Sequence, residues 1–324
     1  METQVPAQRL LEVENLSTHF QLKHSVVRAV EEVDLHVCRG ETVGLAGESG
    51  CGKSTLARAI LQLVPHPGRT VAGRVRFGGM DLLELHEQEL RRIRGTRLTL
   101  IFQDPSTFLN PTVSIGRQIC DVIMAHSATG FQEAREQTFR LLDGLGIPEP
   151  KHRFNSFPHE LSGGMKQRVL IAMAICADPE LVIADEPTTA LDVTIQRQIL
   201  ELIKDKVIRR GSALLFITHD LSILAEICDR IYTMYAGRVV EQAPARNFFA
   251  HPRHPYTRKL LAAIPRHDLR RPLSEIPGVP PRLDDLPEGC SFHPRCDLAG
   301  SRCRRELPRL RELEPEHWVS CHNV

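Results

Sequence analysis

Gly47-Glu48-Ser49-Gly50-Cys51-Gly52-Lys53-Ser54 is the stretch that decides how this 324-residue chain is read. It fits G-x-x-x-x-G-K-[ST] and stands where that pattern has physical meaning. The short apolar run Thr42–Ala46 precedes it, and a helical pattern over Lys53–Val64 follows, with Leu56, Ile60 and Leu63 on one face. Glycines let successive backbone N–H groups turn inward around phosphate oxygens, and the helix N-terminus adds partial positive charge. The pattern assigns Lys53 to the β- and γ-phosphates of a nucleotide and the Ser54 hydroxyl to Mg²⁺. Cys51 reads as a small loop filler rather than a redox switch.

Leu181-Val182-Ile183-Ala184-Asp185-Glu186 supplies the complementary half. Four apolar residues bury a strand and deliver two carboxylates at its C-terminal end, where open α/β sheets bind ligands. Asp185 is placed for the Mg²⁺ shell. Glu186, one residue on, is placed as the general base that orients and deprotonates an attacking water. Together the two stretches imply nucleoside triphosphate hydrolysis.

Arg97–Phe102 and Leu214–Thr218 are further runs of strand length, and strands alternating with helices indicate a parallel sheet covered on both faces. Val26–Val37 has period two, through Val26, Arg28 and Val30 and then Val33, Leu35 and Val37, so the opening 80 or so residues read as β structure. Ile115–Ala125 and Glu133–Leu142 read as amphipathic helices, a helical insertion over about 110–165. Beyond about residue 243 Pro252, Pro255, Pro265, Pro272, Pro277, Pro280, Pro281 and Pro287 oppose regular structure and mark an appended, loop-rich segment.

The net charge of +1 argues against a broad nucleic-acid footprint. The late arginines Arg302, Arg304, Arg305, Arg309 and Arg311 interleave with Glu306, Glu312, Glu314 and Glu316, the pattern of a solvated mixed-charge surface. No run approaches the ~18 apolar residues that span a bilayer, and METQVPAQRL lacks the apolar core of a signal peptide. A cytoplasmic chain that reaches a membrane only through partners is expected.

Leu161-Ser162-Gly163-Gly164-Met165-Lys166-Gln167-Arg168 narrows the reading, because it resembles the signature motif of ABC ATPases. An ordered set surrounds it. Gln103 resembles the Q-loop glutamine, a Mg²⁺ ligand, Ala190-Leu191-Asp192 resembles the D-loop, His219 resembles the switch histidine that contacts γ-phosphate, and Phe20 resembles the aromatic that stacks on adenine. The resemblance implies an α/β P-loop NTPase cassette, with a RecA-like core, an antiparallel β subdomain, a helical subdomain and a loop-rich C-terminal extension. It implies ATP bound by Gly47, Ser49, Gly50, Gly52, Lys53, Ser54 and Thr55 with Mg²⁺ at Ser54, Gln103 and Asp185. Ser162, Gly163, Gly164 and Asp192 would face the nucleotide of an opposing cassette. The expected boundaries are 1–243 for the nucleotide-binding domain and 244–324 for the extension.

Lys53 and Ser162 are 109 positions apart, too few for the long coiled coils of chromosome-maintenance relatives. One cassette per chain departs from the translation-associated relatives, and the absence of fused membrane helices from many exporters. Leu161–Ala174, the run Asp185–Thr194 and His254-Pro255-Tyr256-Thr257 resemble the ATP-binding subunits of oligopeptide/dipeptide importers. That family implies a second, non-identical ATP-binding subunit, two transmembrane permease subunits, an extracellular or periplasmic substrate-binding protein, no nucleic acid, and a peripheral position on the cytoplasmic face of the cell membrane. Its members also handle nickel chelates and glutathione. The reading from another class is a soluble ABC ATPase of a nucleic-acid or ribosome machine.

Cys290, Cys296, Cys303 and Cys321 crowd the end of the chain. Four thiolates in a loop-rich segment of a reducing compartment suggest a metal clip more than disulfides. Their spacing lacks the paired C-x₂₋₄-C of common zinc sites, and all-cysteine ligation also suits a [4Fe–4S] cluster. The resembled family carries a similar GC-x-F-x-x-RC pattern associated with such a cluster, which makes [4Fe–4S] the expectation and Zn²⁺ the alternative.

Overall fold

The computed structural model describes residues 8–189, 191–264 and 275–324, so the seven N-terminal residues, Ala190, Pro265 and Pro272 lie outside it. The described residues fall into two compact units: a carboxylate unit of residues 84–215, and a loop unit of residues 8–83 with 216–324. The chain opens with β1 (Arg9–Gln21), β2 (Val26–Cys38), β3 (Thr42–Ala46), α1 (Lys53–Ile60), β4 (Gly68–Phe77), β5 (Met80–Asp81) and α2 (Glu87–Ile93). Next come β6 (Leu98–Ile101), α3 (Pro105–Phe108), α4 (Ile115–His126), α5 (Phe131–Gly144), α6 (Pro150–Arg153), α7 (Gly163–Ile175), β7 (Leu181–Asp185) and α8 (Val193–Lys206). It closes with β8 (Ala213–Ile217), α9 (Leu221–Ile227), β9 (Arg230–Tyr235), β10 (Arg238–Pro244), α10 (Ala245–Ala250), α11 (Pro255–Ala262), β11 (Arg311–Glu314) and β12 (His317–Val319).

In the loop unit β2, β1, β4 and β5 form an antiparallel sheet in that order. Val26–Cys38 is one strand with a slip in its alternation. Leu16 faces Val33 but Thr18 faces Val30, and Glu32 between them takes φ 49°, so a bulge returns Val33, Leu35 and Val37 to the buried face. The unit's other sheet includes β11, β12, β10, β9 and β3 in that order, with β3 and β9 parallel and the rest antiparallel. All five residues of β3 are buried, and each fully buried Val or Leu contributes ~1.5–3 kcal/mol. Helix α1 is shorter than its sequence pattern. Leu63 N–H reaches back to the Arg58 carbonyl (2.7 Å) and Gln62 adopts φ 50°, a left-handed closure that ends the helix at Ile60. Leu63 is left 39% exposed, so of the three residues on the expected face Leu56 and Ile60 enter the core and Leu63 does not.

In the carboxylate unit β6 and β7 pair in parallel, from Leu98↔Leu181 to Ile101↔Ala184, with every residue buried. Ile115, Ile119 and Ile123 of α4 and Ala134, Thr138 and Leu142 of α5 form the apolar stripes expected of the helical insertion.

The proline-rich segment is more regular than its composition suggests. Pro244 precedes α10 and Pro255 occupies the first turn of α11, where a missing N–H costs nothing. Phe248, Tyr256 and Phe292 are fully buried, and Glu241↔Val319 ties β12 onto β10.

A buried polar node holds this segment. Glu241 accepts the N–H groups of Arg253 (2.7 Å) and His254 (2.9 Å) and lies 2.7 Å from His317 Nε2. Burial pushes its carboxyl up, but the bonds from His317 and the two amides outweigh it and hold the carboxyl below its ordinary range. His254 is 2% exposed. Its Nδ1 accepts the Tyr256 N–H at 3.1 Å while the ring also bonds the Ser320 carbonyl, which suits a neutral imidazole. Burial lowers its pKa to about 4. The unfolded chain binds that proton at ~6.5 and the folded one does not, so this stability is complete above pH 6.5 and is lost as pH falls toward 4. The loss is about 2 kcal/mol at pH 5. Urea midpoints should drop between pH 7 and pH 5, with a shallower drop in His254→Gln; equal slopes would exclude this origin.

Candidate functional site

In the loop unit the phosphate loop is shaped by glycines with no room for a side chain. Gly47 has φ 150° and a Cβ there would meet the Met234 carbonyl at 2.3 Å. Gly52 has φ 108° and a Cβ would meet the Ala29 carbonyl at 2.0 Å. Ser49 and Gly50 are exposed at the tip, and Ser54 and Thr55 are half-buried in the first turn of α1. Lys53 is 4% exposed, and its Nζ donates to the carbonyls of Gly47 (2.8 Å) and Glu48 (2.9 Å), so the cation is held against the loop itself. Burial pushes the Cys51 thiol up, with Lys53 opposing, which agrees with an inert filler. Thr218 N–H bonds the Leu45 carbonyl at 3.2 Å, which sets the exposed His219 beside the end of β3. Phe20 is half-buried with its ring against Gly68, where a Cβ would come within 2.6 Å.

In the carboxylate unit Asp185 ends β7 at 2% exposure. Glu186 follows with φ 46°, a left-handed conformation that costs a non-glycine residue ~1–3 kcal/mol and is typical of functional turns. Its Oε2 accepts from Gln103 Nε2 (3.1 Å) and from Thr189 Oγ1 (2.8 Å). Sequence reasoning linked Gln103 to Mg²⁺; the structure also places it on the carboxylate. Thr189 was missed, since a hydroxyl three residues past the glutamate carries no signal of its own. Ser162 caps α7 by accepting the Met165 N–H (3.3 Å), and Asp192 caps α8 through Ile195 (3.0 Å). Ser162 and Gly163 are exposed. Gly164 is buried, and a Cβ there would meet Ile195 Cγ2 at 2.7 Å, so this glycine's role within the chain is close packing on α8.

The four C-terminal cysteines lie near one another. Burial raises the Cys290 thiol first, and Cys321, Cys303 and Cys296 raise it further, so all four lie within electrostatic reach. The Asn323 backbone N–H donates to the Cys321 sulfur at 3.4 Å and its side-chain amide to the Cys303 sulfur at 3.6 Å. Yet among the described residues no group of three or more His, Cys, Asp or Glu side chains converges to hold a metal ion. The expectation of a metal site at these cysteines, [4Fe–4S] first and Zn²⁺ as the alternative, is therefore not supported by the arrangement of the side chains.

Residues 30–189 match the ABC transporter family, and residues 240–303 match the oligopeptide/dipeptide transporter, C-terminal region. The probable peptide ABC transporter ATP-binding protein y4tR of Sinorhizobium fredii is 49% identical over 324 residues, 99% of this chain and 97% of that protein. The chain belongs to the ATP-binding proteins of oligopeptide/dipeptide-type ABC transporters. The dipeptide transport ATP-binding protein DppD of Escherichia coli is 47% identical over 97% of this cassette chain and 96% of its own. The fold agrees. The dimeric, post-hydrolysis structure of the ATP-binding cassette MJ0796 with ADP and Pi superimposes with a TM-score of 0.66 at 27% identity, covering 73% of this chain and 99% of that one. This cassette is therefore an ATPase subunit of a transporter. Among its described residues no helix is long and apolar enough to cross a membrane.

Proposed function

We propose that the chain powers import of di- or oligopeptides, working with a second, non-identical cassette, two permease subunits and an extracellular binding protein. The observation that carries this reading is the match of the C-terminal region to the oligopeptide/dipeptide class, on a chain whose phosphate loop and paired carboxylates are both built. Lys53 and the loop amides bind the ATP phosphates, Ser54, Gln103 and Asp185 hold Mg²⁺, and Glu186 takes the proton of the attacking water. Mg²⁺ supplies charge neutralisation on the phosphates. His219 contacts the γ-phosphate, Phe20 the adenine, and Ser162 with Gly163 the nucleotide of the partner cassette. In vesicles holding the assembled complex, peptide-loaded binding protein should stimulate ATP hydrolysis and nucleic acid should not. Stimulation by nickel chelates or glutathione alone would overturn the peptide assignment, and stimulation by nucleic acid the importer assignment.

The four thiols carry a [4Fe–4S] cluster in this reading. Two sulfurs accept N–H bonds from Asn323, Cys321 from its backbone at 3.4 Å and Cys303 from its side chain at 3.6 Å, and hydrogen bonds to sulfur tune such clusters. A structural or regulatory part fits it better than redox catalysis. Protein purified without oxygen should contain about four iron and four sulfide per chain, lost in Cys290→Ser and Cys321→Ser. Zinc without iron would make the site a structural clip.

A further inference from the structure

The C-terminal extension grips the phosphate loop. Glu48, the second residue of the loop, has its carboxylate paired with Arg295 through two parallel bonds, Nη1 to Oε2 at 2.7 Å and Nη2 to Oε1 at 2.9 Å. The Arg295 side chain is 4% exposed and fully satisfied. Its Nε donates to the Pro277 carbonyl (2.9 Å), Nη2 also to the Ile276 carbonyl (3.3 Å), and Nη1 also to Tyr235 Oη (3.4 Å). A second contact comes from α11, where Tyr256 Oη accepts the Glu48 backbone N–H at 2.8 Å. Tyr256 and Tyr235 pack with ring centres 4.6 Å apart and planes tilted by 59°, and both pack on Phe292, in an apolar cluster that also takes in Cys290 and Cys296. Arg295 immediately precedes Cys296 in the chain.

We propose that Arg295 and Tyr256 are positioning residues for the phosphate loop, so that the C-terminal extension sets the cassette's affinity for ATP. The physical reason lies in the sign of the charge at Glu48. An anionic side chain inside a phosphate-binding loop opposes a bound polyanion, and a buried bidentate guanidinium cancels that charge while fixing the carboxylate away from the ligand. The Tyr256 bond pins the same residue by its main chain. Geometry at the loop is thereby tied to the segment that bears the four cysteines, and the run His254–Thr257 gains a role: it starts α11 and delivers the Tyr256 hydroxyl to the loop.

The inference rests on the loop being the ATP site, and the test separates the two. Mg-ATP is titrated calorimetrically into the full chain, with Lys53→Ala as the control; absent binding by the unaltered chain would sink the site reading itself. Given that binding, Arg295→Gln should raise Kd about tenfold by freeing the Glu48 carboxylate. Adding Glu48→Gln in the same chain should recover most of the loss, because the repulsive charge is then gone. A role confined to stability would lower the unfolding midpoint and leave Kd unmoved. That result, or no recovery in the double variant, overturns the proposal. Should Arg295→Gln fail to fold, Tyr256→Phe keeps the question open to measurement, with about a threefold rise in Kd expected and an unchanged value counting against it.

Discussion

Glu186→Gln leaves ATP binding intact and lowers turnover of the assembled complex by ~10²-fold or more. The amide keeps the shape of the side chain but cannot take a proton from water. The local structure gives this substitution a clean reading. Glu186 Oε2 is an acceptor for both Gln103 Nε2 and Thr189 Oγ1, and the amide oxygen of glutamine can accept the same two bonds. Fold and turn are preserved while the basicity is removed. Steady-state phosphate release and ATP affinity, measured on the same preparation, give the test. Undiminished turnover would remove Glu186 from the general-base role, and lost affinity would show instead that the carboxylate holds the nucleotide.

The largest effect on stability is expected at Glu241→Leu, about 3–5 kcal/mol. Leucine is close in volume and suits an apolar site, so a loss cannot be charged to a cavity. What disappears is the acceptor for two backbone amides, Arg253 and His254, and the partner of His317, itself at 0% exposure. Each donor left without a partner costs ~1–3 kcal/mol. Urea denaturation followed by tyrosine and tryptophan fluorescence would measure it, since Trp318 lies in β12 beside this node. A change below about 1 kcal/mol would mean that water or a repacked side chain replaces the carboxylate.

Much of the site was legible because its chemistry is local. A phosphate loop needs glycines at backbone positions where a Cβ would strike a carbonyl within 2.0–2.3 Å, and Gly47 and Gly52 announce that in one octapeptide. The carboxylates Asp185 and Glu186 announce themselves by ending an apolar strand, found within the limits expected. The same logic failed where the decisive partner is distant. Val26–Cys38 hides a bulge that only its pairing with β1 reveals. Helix α1 stops at Ile60 because main-chain bonds at Gln62 and Leu63 close it, although the apolar pattern runs on. The prolines after residue 243 disguised α10 and α11, for proline at a helix start looks in sequence like proline in a loop.

Sequence alone thus determined the ATPase chemistry and, through motif order, the family. These depend on residue types held a few bonds apart along one backbone. Only the tertiary structure decided that Gln103 lies on Glu186, that four cysteines separated by up to 31 positions share one neighbourhood, and that Arg295 neutralises Glu48 from 247 positions away. Such pairings leave no periodicity to read. A buried charge is tolerated wherever the fold brings an opposite one, and nothing in the neighbouring residues says where that is.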